Sequence, residues 1–332
     1  MNAVASQSKT QAFKWLLKRE YWENRGGFFW APAITGGIAA FFAIMAAIIA
    51  SIIGHKSGSF NGDSVGGSPE EVARVTGAIG DGALLLGIAL SLAVLAFVLF
   101  FYLLGTLYDD RRDRSILFWK SLPVSDTQMV LSKLAWALLL APLVALAIGV
   151  LTGLVFWVIA ALTGTVNGLP GGSGIVLHSH PLRIIGNVLL ALPVQILWAL
   201  PTVGWLLLCS AWSKRFPFLW AVLVPFLFCA IAGVVTLVFK VSANIVLPYG
   251  SLLYAVLYRG LLSIIPNTWM AALYTGSNVP PGAPDPSNLS GFLSARETWQ
   301  VFATPDLWIG VVVGIAMIFL AIRLRRWREL AD

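Results

Sequence analysis

Charge is what this sequence has least of. Only 11% of its 332 residues are Asp, Glu, Lys or Arg, while 58% are hydrophobic. Soluble domains carry about 25% charged residues, so this chain has too little polar material to coat a core against water. The composition fits lipid as the solvent. Cysteine is almost absent. Cys209 and Cys229 both lie inside apolar stretches, where they read as small hydrophobes and not as a disulfide or a metal site. The three histidines, His55, His178 and His180, fall between the long apolar runs. "HSH" at 178–180 offers two ligands with no third, which makes a solvated loop the better reading. No H-E-x-x-H occurs, and "GDSVG" at 62–66 fits G-x-S-x-G only within a Gly- and Ser-rich loop, not at a strand-to-helix turn, so the usual metalloprotease and hydrolase machinery is missing. No G-x-x-x-x-G-K-[ST] occurs either, and "GHKSGS" at 54–59 has the wrong order for a P-loop.

Long apolar runs, by contrast, are plentiful. A spanning helix needs about 20 mostly apolar residues. Six stretches qualify, at about 28–53, 83–107, 134–162, 184–212, 216–239 and 307–322, and none contains an ionisable residue. Unpaired backbone groups are too costly in hydrocarbon for these to be anything but helices. The expected fold is an all-α integral membrane protein with six transmembrane helices. The first run is long enough to span, and no cleavable signal peptide precedes it, so it is expected to stay in place. The absence of charge at depth argues against a proton relay, which keeps ionisable groups near the midplane.

The basic residues set the expected orientation. With the amino terminus in the cytoplasm, that side collects the amino-terminal tail, the loop 108–133, Lys214 with Arg215, and the tail carrying Arg323, Arg325, Arg326 and Arg328. The outer side keeps Lys56, Arg74, Arg183, Lys240, Arg259 and Arg296, spread within or beside the longer loops 54–82, 164–182 and 241–305. Both termini are then cytoplasmic. The net charge of +7 sits at the ends of apolar runs and forms no soluble basic face, so nucleic acid is not an expected partner. Residues 246–274 are apolar but broken by Pro248, Gly250, Arg259, Gly260 and Pro266. A seventh span here would expel the carboxy-terminal arginines, so a re-entrant segment before the last helix is expected.

Two features mark the cytoplasmic side. In "QAFKWLLKREYWENR", 11–25, Phe13, Leu16, Leu17 and Tyr21 fall on one helical face. Trp15 and Trp22 flank that face, and Lys14, Lys18 and Arg25 can reach lipid phosphates. Residues 1–27 therefore read as a tail with an amphipathic interface helix, followed by the transmembrane domain 28–332. The second feature is the loop 108–133, "YDDRRDRSILFWKSLPVSDTQMVLSK". Asp109, Asp110, Arg111, Arg112, Asp113 and Arg114 alternate in sign, and Ile116, Leu117, Phe118 and Trp119 follow. Ser125 can cap a helix entering span three, next to Asp126. The charges would set register and Phe118 or Trp119 would fill a pocket on a docked partner. A solvated charge run that only enforces topology is the plainer alternative.

In these features the sequence resembles the permease subunits of type-2 ABC exporters. "REYWENR" precedes span one, "LYDDRRDRSILFWKSLPVSDTQMVLSK" follows span two, and the broken segment 246–274 precedes span six, all in the family's order. Arg114–Ser115 stands where members often carry Gly-Thr, while Pro123 and Ser125 keep the P-x-S step. The resemblance implies a coupling helix in the 108–133 loop that meets a separate ATPase. Asp110, Arg111, Arg112, Asp113, Arg114, Phe118 and Trp119 are its candidates, with Trp15, Lys18 and Trp22 on the interface helix. It implies no cofactor in this chain, ATP and Mg in the partner ATPase, a permease homodimer or heterodimer, and a bacterial cytoplasmic membrane. The chain itself would not be an enzyme. In span four, Gln195 and Trp198, between Pro193 and Pro201, are candidates for lining a substrate path. Gln195 bonding only to a neighbouring helix is the alternative. Gly149/Gly153 and Gly310/Gly314 have GxxxG spacing, though glycine is common in membrane helices. The expected function is an export permease for a peptide, drug-like or lipid-like substrate. A non-transporting membrane anchor or assembly factor is the alternative, and a lipid-acting enzyme lacks the needed constellation.

Overall fold

The computed structural model describes residues 2–57, 69–112, 125–167, 173–245, 248–270 and 295–328. All regular structure among them is helical. Helix α1 (Asn2–Arg25) passes through a π-helical turn (Gly26–Trp30) into α2 (Ala31–Ser57). Then come α3 (Pro69–Arg112), α4 (Asp126–Ala135), which runs through a π-helical turn into α5 (Ala141–Val166), and the short α6 (Gly174–His178). Helix α7 (Pro181–Trp212) and α8 (Val224–Ala243) follow. Last come α9 (Tyr249–Leu253), continued by a nine-residue π-helical stretch (Tyr254–Leu262), α10 (Ala295–Gln300) and α11 (Pro305–Arg328). Among the described residues, six helical segments are long and apolar enough to cross a bilayer: Gln11–Lys56, Glu71–Arg112, Asp126–Val166, Pro181–Trp212, Leu219–Ser242 and Pro305–Arg326. The chain is a multi-pass membrane protein with the six spans expected from its apolar runs.

The helices outrun those runs. Helix α3 has 44 residues, about 66 Å at 1.5 Å per residue, against about 30 Å of hydrocarbon. Its first turns fall in the stretch 54–82, read from the sequence as loop. Glu71, Arg74 and Asp81 remove the apolar signature there without stopping the helix. Protein replaces lipid as its environment, since a Cβ at Gly77 would lie 2.6 Å from the carbonyl of His178, and one at Gly80 would lie 2.8 Å from Ser179 Cβ. Asp81 is buried and accepts the backbone N–H of His180 at 2.7 Å.

Helix α3 packs between α5 and α7, and α11 packs on α7. Both GxxxG pairs serve these contacts. A Cβ at Gly153 would strike the carbonyl of Leu84, and one at Gly149 would lie 3.0 Å from Ile88 Cα. A Cβ at Gly314 would sit 2.6 Å from Leu200 backbone. Ser91 reinforces the α3–α5 seam by donating to the Ala145 carbonyl at 2.6 Å. With no hydrophobic force between helices in lipid, such close backbone approach supplies the dispersion contact that holds them. Helices α2 and α8 are peripheral and expose runs such as Phe41, Phe42, Ile231 and Val234, as lipid-facing surfaces do.

Among the described residues before the last span, the helical stretch is short. The five residues of α9 and the nine-residue π-helical stretch fall below the about 20 residues a span requires. Turns at 263–269 follow, and the segment packs on α7 and α8.

Candidate functional site

The basic ends of the helices meet. At the end where α1, α4 and the last turns of α3, α7 and α11 converge, the residues that flank the apolar runs pair with one another. Lys133 Nζ lies 3.0 Å from Glu20 Oε1 and 3.5 Å from Asp110 Oδ2, and donates to Thr106 Oγ1 at 2.8 Å. The ammonium thus has two carboxylates and one hydroxyl around it. Arg325 reaches Asp110 at 3.5 Å and Asp126 at 3.9 Å. Tyr102 donates to the other oxygen of Glu20 at 2.8 Å. Glu20, Asp110, Lys133 and Arg325 are all buried. The network ties α1, α3, α4 and α11 together, and buried charges of this kind persist only when paired and hydrogen-bonded.

This changes how the loop 108–133 is read. Its first residues finish α3, and its last ones are α4. Asp110 faces the network. Arg111 donates to the carbonyls of Leu107, at 3.2 Å, and Ser213, at 3.1 Å, and also to that of Ser210, which fastens α3 to the end of α7. Arg112 is exposed. Asp113, Arg114, Phe118 and Trp119 lie outside the described residues. At the far end, Ser125 forms the expected cap: its hydroxyl accepts from the Gln128 backbone, and Gln128 reaches back to the Ser125 N–H.

The apolar face of the amino-terminal helix is turned to protein. Leu16 is buried, Tyr21 stacks on Trp136 with ring centroids 5.5 Å apart, and Trp136 donates to the Leu17 carbonyl at 2.7 Å. Trp15 and Trp22 are exposed, with Lys18 and Arg25 over their rings at 5.2 and 5.3 Å. The exposed side is thus an aromatic and basic one, as at a membrane interface.

A second concentration of polar groups lies around span four. Pro201 gives no N–H to the helix, and the side chains near it bind the 259–268 segment. Gln195 donates to the Ser263 carbonyl at 3.2 Å, Trp198 to Thr268 Oγ1 at 3.1 Å, and Thr202 to the Arg259 carbonyl at 3.2 Å. Gln195 and Trp198, expected on a path, thus act as anchors for this segment, though Gln195 also borders a small cavity of about 70 Å³. Arg259 is buried. Its guanidinium lies 3.5 Å from the centroid of the Trp198 ring and donates to the Trp198 carbonyl, Ser263 Oγ and the Asp306 carbonyl, each at 3.1 Å. It borders a cavity of about 1090 Å³ between α7, α8, the 249–262 segment and α11. Trp205, Phe228, Ile309, Val313 and Met317 make its apolar wall, and Tyr254 and Asp306 add polar atoms.

The residues missed by sequence reasoning are Glu20, Lys133, Arg325 and Arg259. The first three looked like ordinary flanking charges. A lone arginine in the apolar run 246–274 was the one available signal for the fourth. Among the described residues no group of three or more His, Cys, Asp or Glu gathers to hold a metal. His178 bonds the Gly174 carbonyl at 3.1 Å within α6. No protein-family model, no curated protein and no solved structure matches this chain.

Proposed function

We propose that this chain is the permease subunit of an ATP-driven exporter of the type-2 ABC class, working as a homodimer or heterodimer in a bacterial cytoplasmic membrane. Both termini are inside, and the 249–262 segment with its following turns enters the outer leaflet and returns. A separate ATPase holds ATP and Mg, docks on the residues between α3 and α4, and drives a peptide, drug-like or lipid-like cargo outward. One observation carries this reading: the two ends of the docking connection are rooted in a single buried ion-pair network that also grips α1 and α11. A push on the connection would reach four helices together, as a foreign motor requires. The lack of ionisable groups through the middle of the spans agrees with an external energy source.

The docking face proposed is Arg112, Phe118 and Trp119, since Asp110 and Arg111 are engaged within the chain. Exchanging those three for alanine should abolish co-purification with the proposed partner ATPase, and with it lipid-dependent stimulation of ATP hydrolysis. The six spans should remain inserted. Full association after that change would remove this connection from the docking role. Uphill flux by the isolated chain in vesicles would end the ATP-driven reading.

A further inference from the structure

Arg259 has more to give than its surroundings take. A guanidinium carries five N–H donors. Among the described residues its acceptors are two carbonyls and one hydroxyl, and no carboxylate lies within ion-pair distance of it. A charged group buried in a membrane protein with no carboxylate in ion-pair reach is costly and is read as a functional site. The position is built for the cation. The Trp198 face supports it, and a side chain at residue 310 would collide with its Nη2, so glycine there keeps the guanidinium in place. The cavity beside it is at the upper end of ligand pockets, which run about 300–1,000 Å³. Its wall residues Phe228, Ile309 and Val313 are also exposed, so the wall continues into the lipid-facing surface of α8 and α11.

We propose that this cavity holds an anionic phospholipid of the surrounding bilayer, its phosphate on Arg259 and an acyl chain along α8 and α11. Phosphate takes the planar donor fork of an arginine bidentately. Basic pockets between membrane helices hold lipid head groups in this way. The Asp306 carboxylate also lines the cavity, but it already accepts the Tyr254 hydroxyl at 3.2 Å, and it sits in the first turn of α11, where the helix dipole offsets negative charge. The inference rests on the membrane placement alone and stands or falls apart from the ATP-driven reading.

The test uses the purified full chain in mild detergent and native mass spectrometry. Phosphatidylglycerol, phosphatidylcholine with matched chains, and glycerol phosphate are offered in equal amounts. The wild type should retain phosphatidylglycerol over phosphatidylcholine by about fivefold, one basic contact's worth, and should not retain glycerol phosphate. Arg259→Gln should bring the ratio to one, and Arg259→Lys should keep a preference. Val313→Trp fills the wall without touching any hydrogen bond of Arg259 and should lower bound lipid of both kinds, which keeps the test decisive if Arg259→Gln fails to fold. Equal retention by the wild type, or a preference that survives Arg259→Gln, overturns the proposal. Glycerol phosphate held as well as lipid would make this a free-phosphate site. A Val313→Trp protein that keeps its lipid but loses its dimer would assign the cavity to a second copy of the chain. Either result also overturns it.

Discussion

The two ends of this molecule bury cations by opposite means. At the basic end, Lys133 and Arg325 are matched by Glu20, Asp110 and Asp126, and the lysine also donates to Thr106. Beside the large cavity, Arg259 is held by carbonyls, a hydroxyl and an aromatic face. A closed network leaves nothing for a ligand and serves as a clamp between helices. A cation held by uncharged acceptors beside an apolar hollow keeps its charge on offer. Burial alone does not tell a structural charge from a binding one; the sign and distance of its neighbours do.

The comparison is broken most severely by Lys133→Met. It strands Glu20 as a buried acid without its cation and leaves Asp110 to Arg325 alone, at about 3–5 kcal/mol, seen as loss of monodisperse protein or of chemical-denaturation midpoint in detergent. Adding Glu20→Gln should recover part of the loss, a coupling that a double-mutant cycle reads directly. Arg259→Gln should cost less, about 1–3 kcal/mol, because it removes hydrogen bonds but leaves no acid that was within ion-pair distance. Equal penalties for the two would erase the distinction drawn here. Gly153→Val tests the packing beneath both ends: overpacking against Leu84 costs about 1–3 kcal/mol, while Gly186→Ala, where a Cβ meets open space, should not destabilise. Ser125→Ala removes the capping box at the root of α4 and should cost about 1 kcal/mol. Arg112→Glu, on an exposed side chain, should leave stability unchanged and weaken only the association with the partner ATPase proposed above.

Much of the architecture was legible in the chain. Six runs free of ionisable residues gave six spans, because hydrocarbon accepts no other backbone solution. Ser125 with Asp126 announced a helix start, because a cap joins neighbours in sequence. The glycine pairs at 149/153 and 310/314 were visible, but not their use, since the facing backbones of Leu84 and Leu200 come from other helices. The helical 69–82 stretch was hidden because apolar content measures contact with lipid, and this stretch is covered by α6 and the turn after it. Asp110 read as an outward charge for the same reason: its partners Lys133 and Arg325 are remote in sequence.

Composition and the spacing of apolar runs therefore determined that the chain lives in a membrane, how many times it can cross, and where its basic residues cluster. These are properties of each segment against its solvent, and a one-dimensional string records them. Only the tertiary structure decided which charges cancel and which stay available, and where a cavity opens beside Arg259. Those depend on what residues far apart in sequence place within 3–4 Å of one another, because Coulomb and hydrogen-bond energies are set by distance in space.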